Sequence, residues 1–204
     1  ICGGAFWIVF NGEIYNFRQL RQELEQKGRV FRTECDTEVL LEGFETWGIE
    51  GLLERLIGMF AFALYDLENK KIYLARDRAG KKPLFYAKTP QGLVFASELR
   101  ALLRLYPSAQ ALNPEGLDTY LVLKFTPSPT TLFKGVEKII PGYYLTFSPW
   151  STPTVKRFWH PYLYGKSFEG TPSQWIEKLE TSLTEAVKRR LMSDVPICLF
   201  LSGG

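Results

Sequence analysis

The spacing of apolar residues changes along this chain, and each change marks a change of element. A short apolar run, Phe6 to Phe10, reads as a buried strand, and the Asn11-Gly12 pair behind it suits a tight turn or hairpin corner. Helical spacing follows. Phe17, Leu20 and Leu24 share one face of a predicted helix that Asn16 caps, with Gln19 completing a capping-box-like pair and Gly28 as the stop. Asp36 or Thr37 caps a second helix carrying Val39, Leu40, Phe44 and Trp47, which Gly48 ends. Leu52, Leu53 and Leu56 predict a further short helix. The period then tightens. Met59 to Asp66 is nearly continuous apolar sequence and Lys71 to Ala75 follows a Glu-Asn-Lys turn, the pattern of an antiparallel hairpin. Leu84 to Ala87 and Leu93 to Ala96 flank Thr89-Pro90-Gln91-Gly92, a second hairpin. Ser97 is placed to cap a helix through Leu102 and Leu103, and Asn113-Pro114-Glu115 opens another with proline at its first position.

Periodicity fades over 123–170, where prolines and aromatics crowd together, and this stretch is expected to be a partly packed connecting region. Thr171-Pro172-Ser173-Gln174 is a second capping-box-like start. Behind it Trp175, Leu179, Leu183, Ala186, Val187 and Leu191 lie on one helical face. Pro196 breaks that helix, and Ile197 to Leu201 predict a short strand. A strand after a long amphipathic helix suggests the parallel sheet of an α/β domain. The expected class is α+β: helix-bearing antiparallel hairpins over 1–122, a connector over 123–170, and the first helix and strand of an α/β domain over 171–204.

Composition narrows the function. Of 204 residues 46% are apolar, enough for a packed core, and the net charge of +3 is too small for a nucleic-acid or membrane footprint. The densest basic patches, Lys81-Lys82 and Lys188-Arg189-Arg190, read as solvated faces. Cys2, Cys35 and Cys198 are odd in number and far apart, which argues against a disulfide framework and for a reducing compartment. Cys35 and Cys198 read as buried structural thiols. There is no Cys/His cluster for zinc, no signal peptide and no long apolar run, so a cytoplasmic location is expected. The single histidine, His160, sits in the aromatic connector and is expected to pack or be solvated rather than to catalyse.

The chemistry concentrates in Phe10-Asn11-Gly12-Glu13-Ile14-Tyr15-Asn16-Phe17, where a side-chain amide, a glycine N–H and a carboxylate adjoin at a strand terminus. This phrase resembles the glutamine-pocket motif of the class II glutamine amidotransferases, most closely their asparagine synthetase branch. Further stretches resemble the same family in the same order. They are Asp36-Thr37-Glu38-Val39-Leu40-Leu41, Gly58 to Asp66, Ala75-Arg76-Asp77-Arg78, Gly80-Lys81-Lys82-Pro83-Leu84 and Phe95-Ala96-Ser97-Glu98-Leu99. Arg190 to Pro196 and Ser202-Gly203-Gly204 complete the series. Ala79 and Ile140-Pro141-Gly142-Tyr143 depart from the family pattern.

The resemblance implies an αββα sandwich of the N-terminal-nucleophile type, joined to an ATP pyrophosphatase domain. It implies that Asn11 (side-chain amide) and Gly12 (backbone N–H) form an oxyanion hole, that Glu13 contacts bound glutamine, and that Asp36 pairs with the substrate α-ammonium group. By position alone Asp36 would be a plain helix cap. Leu201, Ser202 and Gly203 match the start of a loop that offers backbone N–H groups to ATP phosphates. The implied reaction amidates aspartate, using ATP and Mg²⁺ and ammonia released from glutamine. The implied partners are those small molecules, with neither nucleic acid nor membrane, and a homodimer is compatible with the family.

The nucleophile does not fit. Ile1 precedes Cys2, which therefore has no free α-amine, and Cys2 lies nine residues from Asn11, roughly 30 Å if extended. Cys2 reads as an ordinary strand-entry residue. The chain is expected to be an interior piece, inactive alone, of a glutamine-hydrolysing asparagine synthetase. Alternatives are a β-lactam synthetase or lasso-peptide cyclase type of enzyme, or a non-catalytic glutamine-binding module.

Overall fold

In the computed structural model, which describes residues 4–149, 151–164, 169–192, 195–201 and 203, regular elements follow the chain in this order. The first are β1 (Phe6–Ile14), α1 (Phe17–Gln26), α2 (Asp36–Arg55), β2 (Gly58–Asp66) and β3 (Lys71–Arg76). Then come β4 (Phe85–Thr89), β5 (Gly92–Ala96), α3 (Leu99–Leu105), a 3-10 turn at Pro107–Gln110, and α4 (Pro114–Leu123). β6 (Val136–Lys138), β7 (Tyr143–Phe147), β8 (Thr154–Arg157), α5 (Pro161–Tyr164) and α6 (Pro172–Arg190) complete the set. The chain divides into two units, Ile1–Leu163 and Tyr164–Gly204.

Phe60-Ala61-Phe62-Ala63-Leu64 sets the layering of the first unit. Alternate residues of a strand face opposite sides of its sheet. Both sides of β2 are buried, so its sequence is continuously apolar, but the two faces differ in size. Phe60, Phe62 and Leu64 pack against Leu20 and Leu24 of α1 and Val39, Leu40, Leu52 and Leu53 of α2. Each such buried side chain contributes about 1.5–3 kcal/mol. Ala61 and Ala63 face the other way, with Leu74 and Leu145, onto Leu84, Tyr86 and Ile139. Their methyl groups let two sheets pack closely. The first sheet runs β1-β2-β3-β7-β8 and the second β5-β4-β6, with every pairing antiparallel. The far face of the second sheet, through Ala87 and Val136, packs on Leu102 of α3 and Ala109. The layers are thus helix, sheet, sheet, helix, as the family resemblance implies.

Several local expectations differ from the structure. β1 does not end at Asn11-Gly12; it runs on to Ile14 in unbroken register with β2. Nor is it buried throughout: Ile8 and Ile14 are, while Trp7 and Val9 are exposed, because β1 is the edge strand and the second sheet does not cover it. Residues 136–157, inside the expected connector, supply β6, β7 and β8. These strands have three to five residues, too few to display a period, and they take their register from β3 and β4. Neither Asn16 nor Ser97 forms a side-chain cap. Gly48 does interrupt α2, with φ 67°.

In the second unit, α6 starts at the expected capping box, with Thr171 and Gln174 bonded reciprocally. Its apolar face, from Trp175 through Leu179 and Leu183 to Val187, is exposed. The expected strand at Ile197–Leu201 is absent. A strand is held by a neighbour's ladder, and this apolar run has none among the described residues.

A buried carboxylate closes the first unit. Where the chain leaves β3 for the second sheet, Asp77 is 1% exposed. Its Oδ1 accepts hydrogen bonds from Ala79 N (3.0 Å) and Lys81 N (2.9 Å), and its Oδ2 from Lys82 N (2.9 Å) and Phe60 N (3.3 Å). Its own N–H donates to Phe60 O (2.8 Å), and its carbonyl accepts from Gly80 N and Gly142 N. Arg76 ties the same loop from the other side, donating to the carbonyls of Lys82, Ile139 and Gly80, each at 2.8 Å. Burial lowers the Arg76 guanidinium below its ordinary pKa, and neighbouring Asp77 opposes that shift. Asp77→Ala strands four backbone N–H groups and should destabilise the protein by about 3–5 kcal/mol. Asp77→Asn keeps one acceptor and should cost less. Urea midpoints measured at unchanged m-value give both figures.

Candidate active site

Asn11, Gly12 and Glu13 lie side by side near the end of β1, and their order in the strand decides which way each faces. Asn11 is paired with Ala61 and Glu13 with Met59, so Asn11 projects onto the side where the two sheets meet. Gly12 is paired with Phe60, and the backbones press together there. A Cβ at Gly12 would stand 2.2 Å from Met59 O and 2.7 Å from Phe60 Cα, and φ is +156°. Gly58, at the other end of the contact, would place a Cβ 2.3 Å from Glu13 O. Glycine is required at both positions because the strands leave no room for a side chain.

The end of β1 is fastened by Asn16. Its Oδ1 accepts from Ile57 N and its Nδ2 donates to Arg55 O, both at 2.9 Å, while Tyr15 N donates to Ile57 O. This side chain therefore joins the strand end to the end of α2 instead of capping α1.

Asp36 is brought to the same strand end. It is the first residue of α2, behind Cys35 at the N-cap, and makes no cap bond. Its Oδ2 accepts from Ile14 N at 3.0 Å and its Oδ1 from Thr37 Oγ1 at 3.4 Å. A carboxylate offers about four acceptor sites, so these two bonds leave capacity for a ligand cation. N–H directions alternate along an antiparallel strand. Ile14 N points off the open edge of β1 to Asp36, and the register puts Gly12 N on that edge too.

The loop before α2 is held by Glu38. Its carboxylate accepts from Arg32 N (2.8 Å), Thr33 N (2.7 Å) and Thr33 Oγ1 (2.6 Å). Burial raises its pKa, but these hydrogen bonds and the charge of Arg21 outweigh it and hold the group below the ordinary glutamate value. Cys35 in this loop is half-buried, its Sγ 3.2 Å from Thr33 Oγ1, and Cys198 is exposed. Neither is the buried thiol expected, because loop 32–35 lies at the surface and the run around Cys198 has no layer over it. His160 receives a hydrogen bond at Nδ1 from Tyr162 N (3.3 Å) and its ring lies 5.1 Å from that of Tyr162.

Two residues had no functional role in the sequence reading. Ser97 Oγ accepts from Asn11 Nδ2 at 3.3 Å. Asp77, through Phe60, holds the strand that backs Gly12. The signal for Ser97 was available in the alternation Leu93, Phe95, Ser97, which sets all three on one face of β5 and its extension. Of the residues matched to the ATP loop, Leu201 is exposed, Gly203 has open space around it, and Ser202 lies outside the described residues, as does Cys2.

The helix–sheet–sheet–helix layering is that of the N-terminal-nucleophile type of amidotransferase domain. The chain belongs to the glutamine amidotransferase domain family, whose model matches residues 2–159, and the asparagine synthase model matches residues 178–204. Curated relatives align with nearly the whole chain. The chain is 38% identical over 99% of its length to asparagine synthetase [glutamine-hydrolyzing] 3 of Bacillus subtilis, covering 32% of that protein. It is 33% identical over 97% of its length to a putative asparagine synthetase 2 of Methanocaldococcus jannaschii, covering 38%. The chain thus spans about a third of the length of these relatives. Among solved structures, glutamine phosphoribosylpyrophosphate amidotransferase of B. subtilis matches in fold, with a TM-score of 0.54 at 23% identity, over 78% of this chain and 30% of that one.

Gly12→Ala should shift β1 against β2 and cost about 2–3 kcal/mol. Amide chemical shifts at Glu13, Met59 and Phe60, together with the urea midpoint, check this. Glu38 has a lowered folded pKa, so its contribution to stability is present above the unfolded value and lost as pH falls through the folded one. Glu38→Gln should therefore be less stable than the parent at pH 7 and converge with it as the pH falls through the lowered folded pKa, in urea titrations across the acid range.

Proposed function

We propose that this chain supplies the glutamine pocket of a glutamine-hydrolysing asparagine synthetase, an enzyme that transfers ammonia from glutamine to an ATP-activated aspartate. The observation that carries the reading is the convergence on one strand end of Asn11, Gly12, Glu13 and Asp36, the last from a different element and bonded to Ile14 N. In this reading Asp36 receives the α-ammonium group of glutamine and Glu13 contacts the bound amino acid. The Asn11 Nδ2 and Gly12 N–H groups donate to the side-chain carbonyl oxygen, which becomes negative as attack by a thiolate on the carbonyl carbon makes that carbon tetrahedral. Preset donors stabilise charge that develops only in the transition state, so they accelerate the reaction more than they tighten binding.

ATP and Mg²⁺ enter at the level of the whole protein. Leu201, Ser202 and Gly203 are assigned to the phosphate loop by their match to the family motif. Among the described residues no group of three or more His, Cys, Asp or Glu is placed to hold a metal ion, and no Mg²⁺ ligand is assigned to this chain. Among the described residues no helix is long and apolar enough to cross a membrane.

Calorimetric titration with L-glutamine tests the pocket. Asp36→Ala should weaken glutamine binding about 10- to 100-fold, the loss of a hydrogen bond to a charged group. It should leave unchanged the binding of 4-carbamoylbutanoate, which lacks the ammonium group. Equal weakening of both ligands, or no heat from glutamine at millimolar concentration, overturns the assignment.

A further inference from the structure

We propose that Ser97 is a positioning residue for the Asn11 amide. Its hydroxyl oxygen holds one amide hydrogen and so presents the other to the glutamine oxyanion. This rests on the reading of Asn11 as an oxyanion donor. A carboxamide can turn either its oxygen or its NH₂ toward a ligand, and the torsion that decides between them is soft. Turned the wrong way, the Asn11 oxygen would repel the charge it is meant to stabilise. Asn11 is exposed on an edge strand, where packing does not fix its orientation. An acceptor placed beside Nδ2 fixes it.

Ser97 is that acceptor. It lies 86 residues from Asn11 in sequence, and Asn11 Nδ2 donates to its Oγ at 3.3 Å. Among the described residues this is the one protein partner of the Asn11 side chain. Ser97 arrives there by strand parity. Leu93 and Phe95 pack toward the first sheet, and Val94 and Ala96 toward α3. Ser97, one step beyond β5, continues the face of Leu93 and Phe95. There it meets Asn11, whose cross-strand partner Ala61 is buried between the sheets. A serine just before a helix usually gives its oxygen to the helix N–H groups. α3 instead begins behind Glu98 and has no side-chain cap bond, so the Ser97 oxygen serves Asn11. The two donors are then held by different means, Gly12 by the backbone of β2 and Asn11 by one hydroxyl from the second sheet.

The test combines kinetics and spectroscopy. In the full-length gene product carrying this chain, Ser97→Ala should lower glutaminase kcat about tenfold, part of the loss expected for removing an oxyanion donor outright. KM for glutamine should stay within about twofold, since the interaction belongs to the transition state. Ser97→Thr, which keeps the hydroxyl, should restore kcat. In an Asn11→Ala background, Ser97→Ala should have no further effect. In the ¹⁵N–¹H spectrum of the 204-residue chain, Ser97→Ala should move one Asn11 side-chain amide proton upfield and leave the other in place, and Ser97→Thr should reverse this. Unmoved Asn11 side-chain signals, or kcat losses that multiply in the double variant, overturn the proposal. If Asn11→Ala leaves kcat unchanged while the spectral shift is present, the oxyanion reading fails and the Ser97 bond stands.

Discussion

The structure depends on one carboxylate that has been removed from water. Asp77 sits where the chain passes from the first sheet to the second, and it is solvated there by backbone N–H groups. An ionised side chain in that position is tolerable only because its acceptor sites are filled. Filling them fixes the loop 77–82 and Phe60 of β2, while the backbone carbonyl of Asp77 holds the beginning of β7 through Gly142 N. Phe60 pairs with Gly12, so the strand behind the candidate site is held in place by Asp77. Arg76 acts on the same loop through carbonyls, as a donor matching the acceptor at Asp77. The adjacent pair Arg76-Asp77 thus satisfies the polar backbone of a turn that would otherwise be too costly to bury.

The elements were legible because they are written in side-chain spacing. The helical stripes of α1 and α2 and the two hairpins were visible and gave the α+β class, while the order of the four layers was implied by the family resemblance. Two features were hidden for physical reasons. β6, β7 and β8 are too short and too rich in neighbouring prolines to declare a period, and they exist because β3 and β4 offer them ladders. Trp7 and Val9 look like core residues in sequence, yet whether a strand is central or at the edge depends on what lies beside it. Conversely, Ile197–Leu201 has the composition of a strand but, among the described residues, no neighbour to bond with.

The candidate site was legible in its parts and less so in its supports. Asn11, Gly12 and Glu13 stand out as a contiguous phrase, and the family resemblance reached Asp36. Helix-capping rules pointed to a local job for Asn16, Asp36 and Ser97, and each makes a long-range bond instead. Capping rules describe what a polar side chain does when nothing more distant competes for it. Here groups of β1 compete for Asp36 and Ser97, through Ile14 N and the Asn11 amide, and the end of α2 competes for Asn16 through Arg55 O and Ile57 N. The importance of Asp77 was invisible, since a buried aspartate and a surface aspartate look alike in sequence.

An outermost strand is where a pocket of this kind can be built, because an outward N–H group such as that of Gly12 lies outside the ladder with β2 and can serve a small molecule. The same availability is a hazard. Any extended peptide could zip onto β1 and silence the pocket, and the bare Trp7 and Val9 side chains would reward it for doing so. On the proposed reading Glu13 and Asp36 have a second effect besides recognition: covering two carboxylates at the strand's end with a neutral peptide costs desolvation, while a ligand carrying its own ammonium group offsets that cost. Selectivity for an amino acid and resistance to unwanted self-assembly would thus come from the same pair of carboxylates.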